Sequence, residues 1–113
     1  MKKIVILLIF SFFFISLAYA HPPQDIKITF NKENKTLTAV IKHVTSNPKT
    51  HYIQKVDIGL NGKEIDDIKL LAQDNSTTQT ITYVFTNIKS QDVISVEAYC
   101  NLFGKLQKQI TVE

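Results

Sequence analysis

From residue 26 to the end, apolar and polar positions alternate in short runs, the period of strands that bury one face. Ile26, Ile28 and Phe30 alternate with Lys27 and Thr29, and after a polar turn over 31–35 the pattern resumes with Leu37, Ala39 and Ile41 on one face. A loop over 43–50 holds Ser46-Asn47-Pro48, which cannot continue a central strand. The longest clean run is 52–60, with Val56, Ile58 and Leu60 in step. Asn61-Gly62 follows, and both residues accept the positive φ of a type I′ hairpin.

The pattern predicts a broken return strand over 63–65 and 68–71, with Asp66-Asp67 as a turn between its halves. A polar loop over 74–78 follows. Ile81, Tyr83 and Phe85 alternate again, 87–92 turns, 93–99 forms a strand ending at Cys100, and 106–112 closes the chain. Seven or eight short strands with turn signals every eight to twelve residues, and no helical period, predict an all-β fold: an immunoglobulin-like antiparallel β-sandwich. An eight-stranded barrel is the nearest competitor.

The first twenty residues have a different logic. Lys2 and Lys3 form a positive start, an apolar stretch runs over 4–17, and Ala18-Tyr19-Ala20 is a small-x-small cleavage signal. Residues 1–20 are therefore expected to be a cleaved signal peptide, leaving one domain over 21–113 that begins at His21. That domain is expected to be periplasmic or secreted, with no membrane segment after cleavage.

Composition narrows the partners. The 13 basic residues are all lysine, two of them in the leader, against 10 acidic ones. Near-balance without arginine or a basic cluster excludes nucleic acid as a partner. A single cysteine, Cys100, excludes an internal disulfide in an oxidising compartment. Hydrolase motifs are lacking: there is no Gly-x-Ser-x-Gly elbow and no glycine-rich phosphate loop.

The chemistry that remains is in three histidines and one thiol. His21 opens the exported domain, His43 and His51 bracket the Pro48 loop, and Cys100 ends a strand just before Gly104. In a sandwich the 43–51 loop and the turn after residue 99 can share one end, bringing imidazoles and sulfur together. Mixed nitrogen and sulfur donors suit iron, zinc or copper, whereas calcium and magnesium prefer oxygen.

His43, His51-Tyr52-Ile53, the Asn61-Gly62 hairpin and above all Tyr99-Cys100-Asn101-Leu102 with Gly104 resemble the iron-binding domain of superoxide reductases, the neelaredoxin and desulfoferrodoxin group. The resemblance runs over 21–112 and implies the same sandwich fold. It further implies one non-haem ferrous iron held by equatorial histidines and an axial cysteine, with an open position for superoxide. On that reading Cys100 is the axial thiolate, His51 and His43 are equatorial ligands, and His21 stands for the first histidine. Superoxide or another small anion, and a separate electron donor, are the implied partners; a homo-oligomer is compatible with the reading. Lys42, Lys49 and Lys55 flank the histidine loop as attractors for an anion or as a solvated face.

The chain departs from the family pattern at defined places. Phe103 stands where the family has a histidine three residues after the cysteine, so one lone-pair donor is missing. The Glu-Lys pair that precedes the first family histidine has its place in the leader, and Val44-Thr45 replaces Pro-Met. Two alternatives stay open. His21, once freed by cleavage, offers an α-amine and a ring nitrogen to copper, which makes a periplasmic copper-binding protein. Alternatively, Cys100 is a small core residue and the domain is a metal-free interaction module.

Overall fold

The computed structural model describes residues 21–113, so the predicted signal peptide lies outside the described residues. Among the described residues seven strands follow in order: β1 Asp25–Asn31, β2 Thr36–Lys42, β3 Ile53–Leu60, β4 Lys63–Lys69, β5 Thr78–Val84, β6 Val93–Cys100 and β7 Lys105–Thr111. They form two separate antiparallel sheets, β1-β2-β5 and β4-β3-β6-β7, and all pairings are antiparallel. This is the expected sandwich with seven strands, and the two distinct sheets rule out the barrel.

The predicted alternation is what builds the interior. Leu37, Ala39 and Ile41 from β2 meet Ile53, Val56 and Ile58 from β3 and Ile94, Val96 and Ala98 from β6, all with no exposed surface. Each large aliphatic side chain buried in this way contributes roughly 1.5–3 kcal/mol relative to exposure. A register shift between Ile53 and Lys55 lets Ile53 and Val56, three apart, both point inward. That bulge sits at the start of β3, two residues after His51.

The hairpin at Asn61-Gly62 has positive φ at both residues, 51° and 84°, as the type I′ reading requires. The Asn61 side chain also accepts from Val93 N–H at 2.8 Å and donates to Asp92 at 3.0 Å, linking the hairpin to the start of β6.

One expectation is corrected. The return strand is continuous, with a shift in register at Ile65, and Asp66 and Asp67 lie within β4, paired with Ile58 and Asp57 of β3. β4 is an edge strand that is exposed along most of its length, so charge takes the place of alternation. Lys63, Glu64, Asp66, Asp67 and Lys69 discourage another chain from adding to that edge. Asp57, Glu64 and Asp67 crowd there, and repulsion from Asp57, with some help from desolvation, raises the Glu64 carboxyl above its usual range.

Candidate metal centre

None of the three histidines lies inside a strand; each is held at the same end of the sandwich by its own backbone anchors. His43 is the first residue beyond β2, and its N–H donates to Thr77 O at 2.9 Å, extending the β2–β5 ladder past β5. Thr45 N–H repeats this with Ser76 O at 2.8 Å. His51 comes off a single tight turn in which Asn47 O accepts from Thr50 N–H at 3.2 Å and from His51 N–H at 2.9 Å. The Asn47 side chain caps that turn by accepting from Lys49 N–H at 3.0 Å.

His21 precedes β1 and is fixed by contacts across the chain. Its Nε2 donates to Val44 O at 2.8 Å and its Nδ1 lies 2.9 Å from Pro22 O, so a metal held through this ring takes the place of one of these carbonyl contacts. Gln24 N–H donates to Lys42 O at 2.8 Å, and Val44 N–H donates to the Gln24 side chain at 3.0 Å. Pro22 rests against Gly104, in the turn between β6 and β7.

These anchors bring the rings into one cluster. Ring centroids are 4.6 Å apart for His43 and His51, 5.0 Å for His21 and His43, and 5.2 Å for His21 and His51. One nitrogen from each ring lies within 4.8 Å of the other two. His43 has no exposed surface and His51 has 7%. The Nε2 atoms of both are buried without a hydrogen-bond partner among the described residues. Leaving a buried polar atom unpaired costs about 1–3 kcal/mol, so two in one cluster are a cost that a shared ligand would remove.

Both imidazoles resist protonation. Burial, above all, pushes His43 below its ordinary value of 6.5; its bond to Gln73 opposes this and the His21 charge adds to it. Burial lowers His51 too, followed by the charges of His43 and His21. Neutral imidazole is the form that binds a metal. The donor set, three clustered imidazoles of which two are buried and one half-buried, fits a first-row transition ion such as iron, copper or zinc.

Cys100 lies at the same end but is not a member of the set of ligand atoms within 4.8 Å of one another. It is buried and in no disulfide, and its Sγ accepts from Leu102 N–H at 3.4 Å. Phe103 is 59% exposed in the same turn. Lys55 is engaged elsewhere: it pairs with Asp57 at 3.5 Å and lies 4.3 Å from the centre of the Tyr99 ring. Lys42 and Lys49 are exposed.

Two polar residues outside the sequence-based set build the site. Asn101 accepts from Tyr52 N–H at 2.9 Å and donates to Thr50 O at 3.0 Å, clasping the segment that carries His51. Gln73, 6% exposed, bonds His43, Ile53, Asn75 and Pro48. Asn101 had a sequence signal, its place directly after Cys100. Gln73 had none, being one polar residue in a loop.

Among solved structures the fold is similar to a one-iron superoxide reductase from Giardia intestinalis, at 12% identity over 81% of this chain and all of that one, with TM-score 0.61. A hypothetical protein from Pyrococcus horikoshii gives 13% identity over 84% of this chain and 91% of that one, with TM-score 0.60. A neelaredoxin superoxide reductase from Ignicoccus hospitalis gives 22% identity over 88% of this chain and 86% of that one, with TM-score 0.50. No protein-family model matches the chain, and no curated protein does. The fold is superoxide reductase-like, as the resemblance implied.

Proposed function

We propose that this is an exported metal-binding protein that holds one transition-metal ion through His21, His43 and His51, with ferrous iron as the leading occupant. The observation that carries the reading is the pair of buried, unpartnered Nε2 atoms on two of three clustered imidazoles. The fold shared with the one-iron superoxide reductase from Giardia intestinalis supports iron. Cys100, buried at the same end, is the residue to supply a thiolate as a further ligand.

When bound, such an ion supplies one-electron reduction of a small oxidant such as superoxide. The chain's own residues hold the imidazoles neutral, orient them and keep water from His43. Phe103 offers no lone pair, so holding the metal is placed ahead of efficient superoxide reduction in this chain.

A second reading has its own support. His21 is the one cluster residue whose place depends on the chain's start, and cleavage after Ala20 would add an α-amine to its ring nitrogen. That chelate, with His43 and His51, suits copper.

The test is elemental analysis and metal titration of the protein purified in its exported form. About one equivalent of metal per chain is expected, lost in His43→Ala and in His51→Ala. Metal content near zero, unchanged by either substitution, would favour the interaction-module alternative. If Cys100→Ser abolishes a thiolate-to-metal absorption band, sulfur is a ligand. If copper is the metal and one residue added before His21 removes it, the amine chelate holds.

A further inference from the structure

We infer that Gln73 is the positioning residue that fixes His43 in its Nδ1–H tautomer and so directs the Nε2 lone pair into the histidine cluster. The role in metal holding rests on the three-histidine reading above; the tautomer itself rests on the fold alone.

The orientation of the Gln73 amide is decided by the backbone. Its Nε2 lies 2.7 Å from His43 O and 2.9 Å from Asn75 O. Carbonyl oxygens only accept, so the NH₂ group must be at that end. Its Oε1 lies 3.3 Å from Ile53 N, an N–H that only donates, and 2.8 Å from His43 Nδ1. A flipped amide would set like poles together against two carbonyls and one N–H.

With Oε1 fixed as acceptor, His43 Nδ1 must carry the proton. The Nε2 atom then holds a lone pair, and it is this atom that is buried without a partner. The opposite tautomer would lose the Gln73 bond and bury an N–H at Nε2 with nothing to accept it. Both ring nitrogens therefore require the same proton position.

Gln73 also couples His43 to the segment that delivers His51. Its own N–H donates to Pro48 O at 2.9 Å, inside the turn that ends at His51. One buried amide thus joins the ends of β2 and β3. Orienters that hold a ligand histidine through its second ring nitrogen typically change metal affinity 10–100-fold when removed.

The test uses exported protein labelled with ¹⁵N and stripped of metal, with ring tautomers read by long-range ¹H–¹⁵N correlation above the imidazole titration range. His43 is expected to carry its proton on Nδ1 in the unaltered protein. Gln73→Leu should populate the Nε2–H form and weaken cobalt(II) binding 10–100-fold, followed by the cobalt absorption bands. A proton on Nε2 of His43 in the unaltered protein would overturn the inference, and that spectrum decides even where Gln73→Leu does not fold. Unchanged tautomer and cobalt affinity in a folded Gln73→Leu would overturn it too. If the unaltered protein takes up no cobalt yet shows the Nδ1–H form, the three-histidine reading fails while the assignment to Gln73 stands.

Discussion

Pro22 occupies the space that a side chain on Gly104 would need: its Cβ lies 2.7 Å from where a Cβ on Gly104 would sit. Gly104 also has φ near +83°, a region costly for residues with a side chain. The turn between β6 and β7 thereby sets how closely the segment bearing His21 can approach.

Gly104→Ala should cost stability twice, through backbone strain of about 1–2 kcal/mol and through the displacement of Pro22. Gly62 is the internal control, with φ near +84° but open space around the missing Cβ. Gly62→Ala should show the strain alone. Urea midpoints of the two variants, with metal titration alongside, give the comparison: Gly104→Ala should lose metal affinity and Gly62→Ala should keep it.

Asn101→Ala should release the clasp on Thr50 and Tyr52. One of these bonds is part-buried and the other exposed, so their loss should cost about 0.5–1.5 kcal/mol each at most. The backbone bond from Asn101 N–H to Tyr52 O, 3.0 Å, is independent of the side chain and should survive. Amide exchange should therefore quicken at Tyr52, whose N–H loses its acceptor, more than at Asn101. Equal protection at both amides would count against the clasp.

Acid should weaken the metal-free fold within a defined window. His43 and His51 are lowered in the folded chain from the ordinary 6.5. Above 6.5 both states are neutral there and the contribution to stability is complete. As pH falls below 6.5 the unfolded chain takes up protons that the folded chain refuses, so stability drops until the folded imidazoles titrate. Denaturant midpoints measured between pH 7.5 and 5 should fall with acid, and His43→Gln with His51→Gln should flatten that slope.

Phe103→His should be tolerated, since Phe103 is 59% exposed. It adds an imidazole to the turn after Cys100, and both metal affinity and superoxide reduction should rise in kinetic and binding assays. No change in either would weigh against aligning this turn with the superoxide reductase pattern.

The strands were legible because each carries its own period. Leu37, Ala39 and Ile41 announce a buried face without reference to anything distant. β4 reads as broken at Asp66-Asp67 because an edge strand has little interior to declare, and its charges imitate a turn. The shared end of the sandwich predicts that His43 and His51 meet, but it also predicts Cys100 beside them, and Cys100 is not among the ligand atoms within 4.8 Å of one another; His21 enters only through the family resemblance, and Gln73 not at all. A glutamine becomes structural only through partners far along the chain, His43 at a separation of 30 residues and Ile53 at 20, and no local pattern encodes them. The packing of Pro22 on Gly104 was invisible for the same reason.

His43 hangs from the three-stranded layer and His51 from the four-stranded one. A ligand gripping both rings would rivet the halves at one rim, a task for which a chain with a lone cysteine has no cystine to offer. Loading should then be felt mechanically, as a higher force to peel β2 away from β3 in a single-molecule pull, and stripping the ligand should let that rim gape first.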